Sequence, residues 1–393
     1  MLSKEIDLLI KQEQERQKNS INLIASENVL DLELANQYGN IFVNKYAEGY
    51  PSKRYYAGCE IVNQLEELAI KNCCKAFSSN YANVQPLSGS QANQAILSAC
   101  LTPGDTILSL KLSSGGHLSH GFHKNLAGQI YKIINYHTLS NGNLDYNEIE
   151  LLIKEHSPKI IILGFSCFVF DIDFKKIRNF SSEIIILADI SHYSGLVITN
   201  LMQHPFPFAD IIMSTTHKML GGPRGAIICW NKEKFNIINS GVFPGIQGGP
   251  HMNSVLLKSI CLERSLTKKY FNHCGQIIKN IQSLAQILQT KCDITIGDNH
   301  ILIWHLNSKI EAEAMVLLLE SNNIVTNFNY TFKGFGIRIG SVCMTSRGWK
   351  EAEFEKLGYL ILKIIKIKVI DRKEIYALLD KCSLDNYFFI NNV

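Results

Sequence analysis

Between residues 106 and 230 the chain alternates short, almost continuous apolar runs with longer stretches of helical period. The runs fall at 106–110, 130–136, 159–165, 183–188, 210–213 and 226–230. They lack the in/out alternation of a half-exposed strand and so predict strands buried on both faces of a mainly parallel sheet. Helical patterns at 60–77, 91–101 and 146–156 fit the connections. The large part is therefore expected to be α/β. An amphipathic helix over about 3–19 and an irregular Gly/Tyr-rich stretch at 44–58 precede it. After Pro250 the rhythm changes. A helical stretch at about 253–290 leads to short strands at 301–306 and 336–341, with helices at 311–321, 350–367 and 373–381. That pattern predicts a smaller α+β unit. The expected division is an N-terminal helix and arm at 1–60, a large domain at 61–250 and a small domain at 251–393, since 393 residues exceed one compact core.

Composition narrows the class. The chain is 46% hydrophobic and 19% charged, as expected of a soluble globular protein, and its net charge of +4 is mild. Lys363, Lys366, Lys368, Arg372 and Lys373 are interleaved with isoleucines and predict the wet side of a helix rather than a nucleic-acid surface. The 11 cysteines are odd in number and have no C-x-x-C spacing, with Cys73 and Cys74 adjacent. With no secretory h-region at the N-terminus, a reducing cytoplasmic compartment is expected. No apolar stretch approaches the ~20 residues of a membrane span.

The strongest chemical signal is Ser214-Thr215-Thr216-His217-Lys218-Met219-Leu220-Gly221-Gly222-Pro223-Arg224-Gly225. It starts where an apolar run ends, so Lys218 is expected just past the carboxyl edge of a strand, where open α/β sheets bind ligands. Among small and hydroxyl residues, a lysine suits a carbonyl-trapping amine of lowered pKa, though an ordinary loop lysine also fits. Asp189 closes the run at 183–188, 29 residues before Lys218, with His192 three residues later. A carboxylate there can face a pyridine nitrogen and keep it protonated; a helix N-cap is the alternative. Ser88-Gly89-Ser90-Gln91 opens a helical pattern, and small residues at a helix start offer N–H groups to an anion. His117, His120 and His123 share a spacing of three that suits a metal on a helix face. Gly115-Gly116 and Gly121 argue against a helix there, and no metal is expected.

Several segments resemble the serine hydroxymethyltransferase family nearly end to end, from about Ile21 onward. They are Leu23-Ile24-Ala25-Ser26-Glu27-Asn28, Asn44-Lys45-Tyr46-Ala47-Glu48-Gly49-Tyr50-Pro51, Lys53-Arg54-Tyr55-Tyr56 and Ser114-Gly115-Gly116-His117-Leu118. Ser214–Lys218 with Gly222-Pro223-Arg224-Gly225, and Phe243-Pro244-Gly245 with Gln247-Gly248-Gly249-Pro250, complete the set. The resemblance implies a fold-type-I pyridoxal-phosphate transferase with a mainly parallel seven-stranded sheet and a smaller α+β C-terminal domain. It implies serine–glycine interconversion with tetrahydrofolate as one-carbon acceptor.

The resemblance also implies roles. Lys218 would hold the cofactor as a Schiff base, Asp189 would pair with its ring nitrogen and His117 would stack on the ring. Ser166 and His192 would surround the phenolic oxygen, with Thr215 also in the cofactor site and His217 among the catalytic residues. Ser88, Gly89 and Ser90 would hold the phosphate, reached by Gly248 and Gly249 from a partner in a homodimer with shared active sites. Arg338, between Ile337 and Ile339, would clamp the amino-acid carboxylate, which also explains a strand arginine that is costly if buried unpaired. Glu48 would be the acid–base group near the serine hydroxymethyl, with Ser26, Tyr46 and Tyr56 close by. Leu112, Gly116, His117, Leu118 and Phe332 would contact folate, and Asn327 or Asn329 would offer it an amide.

The chain departs from the family pattern in four places. The segment 325–338 is shorter than in typical bacterial members, Phe168-Val169-Phe170 replaces a Tyr-Ser-Gly stretch, Val342-Cys343 replaces Pro-Ala, and Ser191 replaces an alanine. The short segment bears on folate affinity. Two rivals follow: a folate-independent aldolase for threonine-like β-hydroxy amino acids, and a non-catalytic homologue.

Overall fold

The computed structural model describes residues 3–369 and 372–382; residues 370–371 and 383–393 of the segment expected as the small domain lie outside the described residues. The sheet expected from the apolar runs has seven strands in the order Tyr81–Asn83, Ala226–Trp230, Ile211–Thr215, Ile185–Asp189, Ile160–Gly164, Thr106–Leu110, Lys132–Tyr136. Five neighbours from Ile211–Thr215 outward run parallel, and Ala226–Trp230 is antiparallel to both of its neighbours. Both faces are buried, as the unbroken apolar runs require. In Ile160–Gly164, Ile161 and Leu163 point into one core and Ile160 and Ile162 into another. This is the mainly parallel α/β sheet that the apolar runs predict.

Two boundaries shifted for local reasons. The apolar run at 130–136 splits into a short helix, Leu126–Ile130, and the strand Lys132–Tyr136. The long helical stretch at 253–290 is two helices, Met252–Ser265 and Lys268–Leu288, because the Thr267 hydroxyl accepts from Tyr270 N–H and starts a new N-terminus. Met252–Ser265 packs on Glu60–Ala76 and joins the large-sheet core. Along Lys268–Leu288 the partner changes: Cys274 and Ile277 face that core, while Ile281, Leu284 and Leu288 face a second one.

The second core covers a four-stranded antiparallel sheet in the order Ile294–Ile296, Ile301–Leu306, Gly334–Gly340, Asn327–Thr331. Ile21–Asn22 pairs in parallel with Ile324–Val325, which anchors the N-terminal arm to this unit. The helix Lys4–Lys18, capped by Ser3, has no buried residue although Ile6, Leu8, Leu9 and Ile10 are exposed on it.

Candidate functional site

Adjacent parallel strands bring the two strongest chemical signals together. Asp189 ends one strand and pairs in register with Met213; two residues later Thr215 ends the next, and Lys218 follows in the loop. Gly164 lies opposite Asp189 in register, and a Cβ there would sit 2.4 Å from the Asp189 Cβ. The neighbouring strand therefore needs glycine at this point to let the carboxylate strand close up. Asn28 Nδ2 donates to Lys218 O at 2.9 Å, so the N-terminal arm holds the lysine loop from outside.

These residues face one cavity of about 230 Å³, lined by Ser88, Gly89, Ser90, His117, Asp189, His192, Thr215, His217 and Lys218. Ser88 is the N-cap of the helix Gly89–Cys100 and accepts from Gln91 N–H at 3.3 Å. The first N–H groups of this 12-residue helix have no partner within the helix and open toward the cavity. A Cβ on Gly89 would stand 2.7 Å from the Thr215 side chain, so the helix start lies directly on the lysine strand. Beneath this turn, the fully buried Lys258 ammonium donates to Val84 O, Pro86 O and Ala226 O at 2.7, 2.8 and 3.1 Å. It ties the lead-in of the turn to the return of the lysine loop.

Asp189 is the electrostatic centre. One oxygen accepts from His120 Nε2 at 2.9 Å and Asn93 Nδ2 at 3.1 Å. The other accepts from the Ser191 hydroxyl at 2.6 Å and Ser191 N–H at 3.2 Å. Burial alone would raise this carboxyl, but the His120 hydrogen bond and the positive charge around it hold it well below the usual carboxylate range. Burial lowers the Lys218 amine to about 8, an effect that Asp189 partly offsets. Burial also brings His117 down to about 3 and His217 to about 4, and pushes His192 well below its ordinary value. Near neutral pH the three imidazoles are uncharged.

Arg338 lies at the seam between the units. Its guanidinium donates to Ser166 O at 2.6 Å, Ser26 Oγ at 3.2 Å and Asn327 Oδ1 at 3.3 Å, while Nε is buried without a partner. Among the described residues no carboxylate lies within ion-pair distance of it. Ser166 thus meets the site through its carbonyl oxygen.

A second cluster does not line the cavity. Tyr46 OH donates to Glu48 Oε1 at 3.3 Å, and the Tyr46 and Tyr56 rings stand 4.8 Å apart. A Cβ on Gly248 would stand 3.3 Å from Glu48 Oε1, and one on Gly249 3.1 Å from the Tyr46 ring. Both tyrosines are exposed. The expected folate contacts are dispersed. Leu112–Ser114 lies against Asn327–Thr331, Leu118 is half exposed, and Gly116 packs tightly on Leu110 O. Phe332 sits against His305, with ring centroids 4.8 Å apart, and over Gly142.

The sequence reading missed His120, Asn93 and Ser191 as partners of Asp189. His120 had the only visible signal, its spacing from His117, and that spacing suggested a metal. Its Nε2 instead meets Asp189, and His117 Nδ1 meets Ser119 Oγ at 2.7 Å.

Comparison with known proteins decides the family. The serine hydroxymethyltransferase family model matches residues 1–361. The chain is 44% identical to serine hydroxymethyltransferase of Rickettsia canadensis, over 92% of this chain and 90% of the relative. It is 43% identical to that of Orientia tsutsugamushi, over 93% and 89%, and 44% identical to that of Phytoplasma australiense, over 91% of each. The chain belongs to the serine hydroxymethyltransferase family. It interconverts serine and glycine, with pyridoxal phosphate as cofactor and tetrahydrofolate as one-carbon acceptor.

The residues present fit that cofactor. Thr215 Oγ1, His192 Nδ1 and His217 Nδ1 are buried around the cavity without partners, a state that native interiors rarely tolerate unless a ligand or water completes it. The helix start offers N–H groups to a phosphate, and Asp189 and Lys218 stand ready for a ring nitrogen and an aldehyde.

Proposed function

We propose that Lys218 is the covalent anchor for pyridoxal phosphate in this serine–glycine interconversion. Asp189 faces the ring nitrogen, His117 lies over the ring, and Ser88, Gly89 and Ser90 hold the phosphate. His192, Ser166 and Thr215 complete the surroundings, with His217 beside the lysine. The observation that carries the reading is the placement of Lys218 and Asp189 at adjacent strand ends, facing one cavity.

The bound cofactor supplies an electron sink for the pair released when the serine Cα–Cβ bond breaks. The chain does the rest. Arg338 offers its unpartnered Nε to the amino-acid carboxylate, while Ser166 O, Ser26 and Asn327 hold its two terminal nitrogens in place. With its amine lowered to about 8, Lys218 has an appreciable unprotonated fraction near neutrality, which attack on a carbonyl requires. Asp189 stays anionic and keeps a ring proton in place. The neutral His117 covers the ring without adding charge that would oppose it.

We assign Glu48 to the proton on the serine hydroxyl, with Tyr46 and Tyr56 beside it, and place these groups in the site of a second copy. Support comes from their absence from the cavity lining and from the exposed Tyr46, Tyr55 and Tyr56, which a partner surface would cover. Gly248 and Gly249 stand with them and would reach the partner's phosphate. Folate contacts are assigned to Leu112, Gly116, His117, Leu118 and Phe332. The 11 cysteines all carry free thiols, which supports a reducing cytoplasm. Among the described residues no helix is long and apolar enough to cross a membrane.

The deciding experiment measures serine cleavage by purified protein with and without tetrahydrofolate. Strong stimulation by tetrahydrofolate is expected. Cleavage of β-hydroxy amino acids indifferent to folate would point to an aldolase, and failure to bind pyridoxal phosphate covalently would point to a non-catalytic homologue.

A further inference from the structure

Ser191 lies two residues beyond Asp189 and is buried. Its hydroxyl oxygen accepts from Thr215 N–H at 3.0 Å and stands 2.6 Å from Asp189 Oδ1. A carboxylate without a proton can only accept, so the hydroxyl hydrogen points at Asp189. The other neighbour within reach is the Met213 sulfur at 3.9 Å, a much weaker acceptor. The direction of the chain is therefore fixed: Thr215 N–H to Ser191 O–H to Asp189. It joins the end of the carboxylate strand to the end of the strand that leads, three residues on, to Lys218.

We propose that Ser191 is a positioning residue that fixes the charge and the rotamer of Asp189 toward the cofactor ring. The proposal rests on the reading that Asp189 faces the ring nitrogen. Short hydrogen bonds from a hydroxyl to a carboxylate favour its charged form. The Thr215 N–H fixes the hydroxyl from the next strand, and the fixed hydroxyl locks the carboxylate plane, because rotating Asp189 would strand both the Ser191 hydroxyl and the Ser191 N–H. The other titratable or charged groups facing Asp189 are His117 and His120 from the turn above the cavity, Lys218 from the neighbouring loop and Tyr193 from its own segment. The hydroxyl of Ser191 is the uncharged donor that links two strand ends.

The test compares Ser191→Ala, Ser191→Thr and a control, Ser265→Ala, whose hydroxyl is equally buried but bonds only Leu262 O. The probe is pyridoxal phosphate, titrated against the apo-protein by fluorescence quenching. Ser191→Ala should weaken cofactor affinity roughly tenfold to hundredfold, the loss expected for one charge-assisted hydrogen bond. Without the donor, Asp189 takes up a proton more readily. The acid-side pH at which the cofactor is released should then rise by about one unit. Ser191→Thr keeps the hydroxyl and should restore both values, and Ser265→Ala should move neither. An unmoved acid-side midpoint in Ser191→Ala would overturn the proposal, even with weaker binding, since only packing would then have been lost. Mapping the borohydride-reduced cofactor in Ser191→Ala separates the two failures. A label on Lys218 with no midpoint shift sinks this inference alone, whereas a label on another lysine sinks the assignment of the site.

Discussion

His120 Nε2 stands 2.9 Å from Asp189 Oδ2, and the contact is buried on both sides. The carboxyl is held below its ordinary value of ~3.9 despite burial, so it contributes stability above that pH. The contribution is lost as pH falls through the depressed native value. His120→Ala removes a principal cause of the depression, so the variant should be less stable at neutral pH by roughly 1–3 kcal/mol. Its stability should also fall less steeply on acidification. Urea unfolding of the apo-protein between neutral and acidic pH measures both, and an unchanged pH slope would contradict the account.

Lys218→Ala should abolish covalent, borohydride-fixable attachment of pyridoxal phosphate while leaving secondary structure intact. Lys218→Arg should fail equally, because a guanidinium stays protonated and forms no imine. Peptide mapping of the reduced protein is the measurement. A pyridoxyl group on any other lysine, including the buried Lys258, would refute the assignment.

How much of this was readable beforehand depended on the range of each interaction. The sheet was legible because strands buried on both faces must be apolar throughout, and 160–165 and 226–230 are. Tyr81–Asn83 was invisible because three residues carry no period. Asn327–Thr331 was missed because alternate asparagines mask a strand whose other face packs Phe328 and Tyr330 on Phe335. Lys218 and Asp189 were legible through local context. His120 and Ser191 were not, since their importance lies in where the chain returns. We also propose that the joint between the units lies within Lys268–Leu288 rather than near 250, because the packing partner changes along that helix.

Arg338→Ala should weaken glycine and serine binding by roughly two orders of magnitude or more, the effect of losing a charge-assisted clamp. Cofactor loading should survive. Arg338→Lys should recover little, because one ammonium cannot hold Ser166 O, Ser26 and a ligand carboxylate together in the guanidinium's planar geometry. Glycine binding followed by absorbance of the loaded protein decides the point, and unchanged affinity would assign the carboxylate to another residue.

If Glu48 works in the partner's site, two inactive variants should complement each other. Lys218→Ala and Glu48→Gln homodimers should each be nearly inactive. After subunit exchange, mixed dimers contain one intact site, and a two-fold interface with random exchange gives about a quarter of the native activity. Sedimentation should show a dimer throughout. No activity in a mixture shown by mass spectrometry to contain hybrids would place Glu48 in its own subunit's site.

Folate affinity is the most exposed prediction. The short segment before Arg338 forms a tight hairpin in which Thr331 pairs with Gly334, leaving Phe332 and Lys333 as the turn. That turn is anchored, since Lys333 Nζ contacts both Asp293 oxygens at 2.8 and 2.9 Å and Phe332 packs on His305. Asn327 is committed too, accepting from Arg338 and donating to Phe328 O. Asn329 is left as the amide best placed to meet a pterin. A longer turn would add polar contacts that this hairpin lacks, and one or two missing hydrogen bonds cost on the order of 1–3 kcal/mol. Tetrahydrofolate should therefore bind about tenfold to hundredfold more weakly than in relatives with a long turn. Asn329→Ala should weaken it further, and inserting a family-length turn between Phe332 and Gly334 should tighten it. Serine affinity should hold constant in both, because Arg338 and its partners are untouched. Calorimetry of folate binding in the presence of glycine measures these differences, and native affinity equal to that of long-turn enzymes would show that the hairpin plays no part.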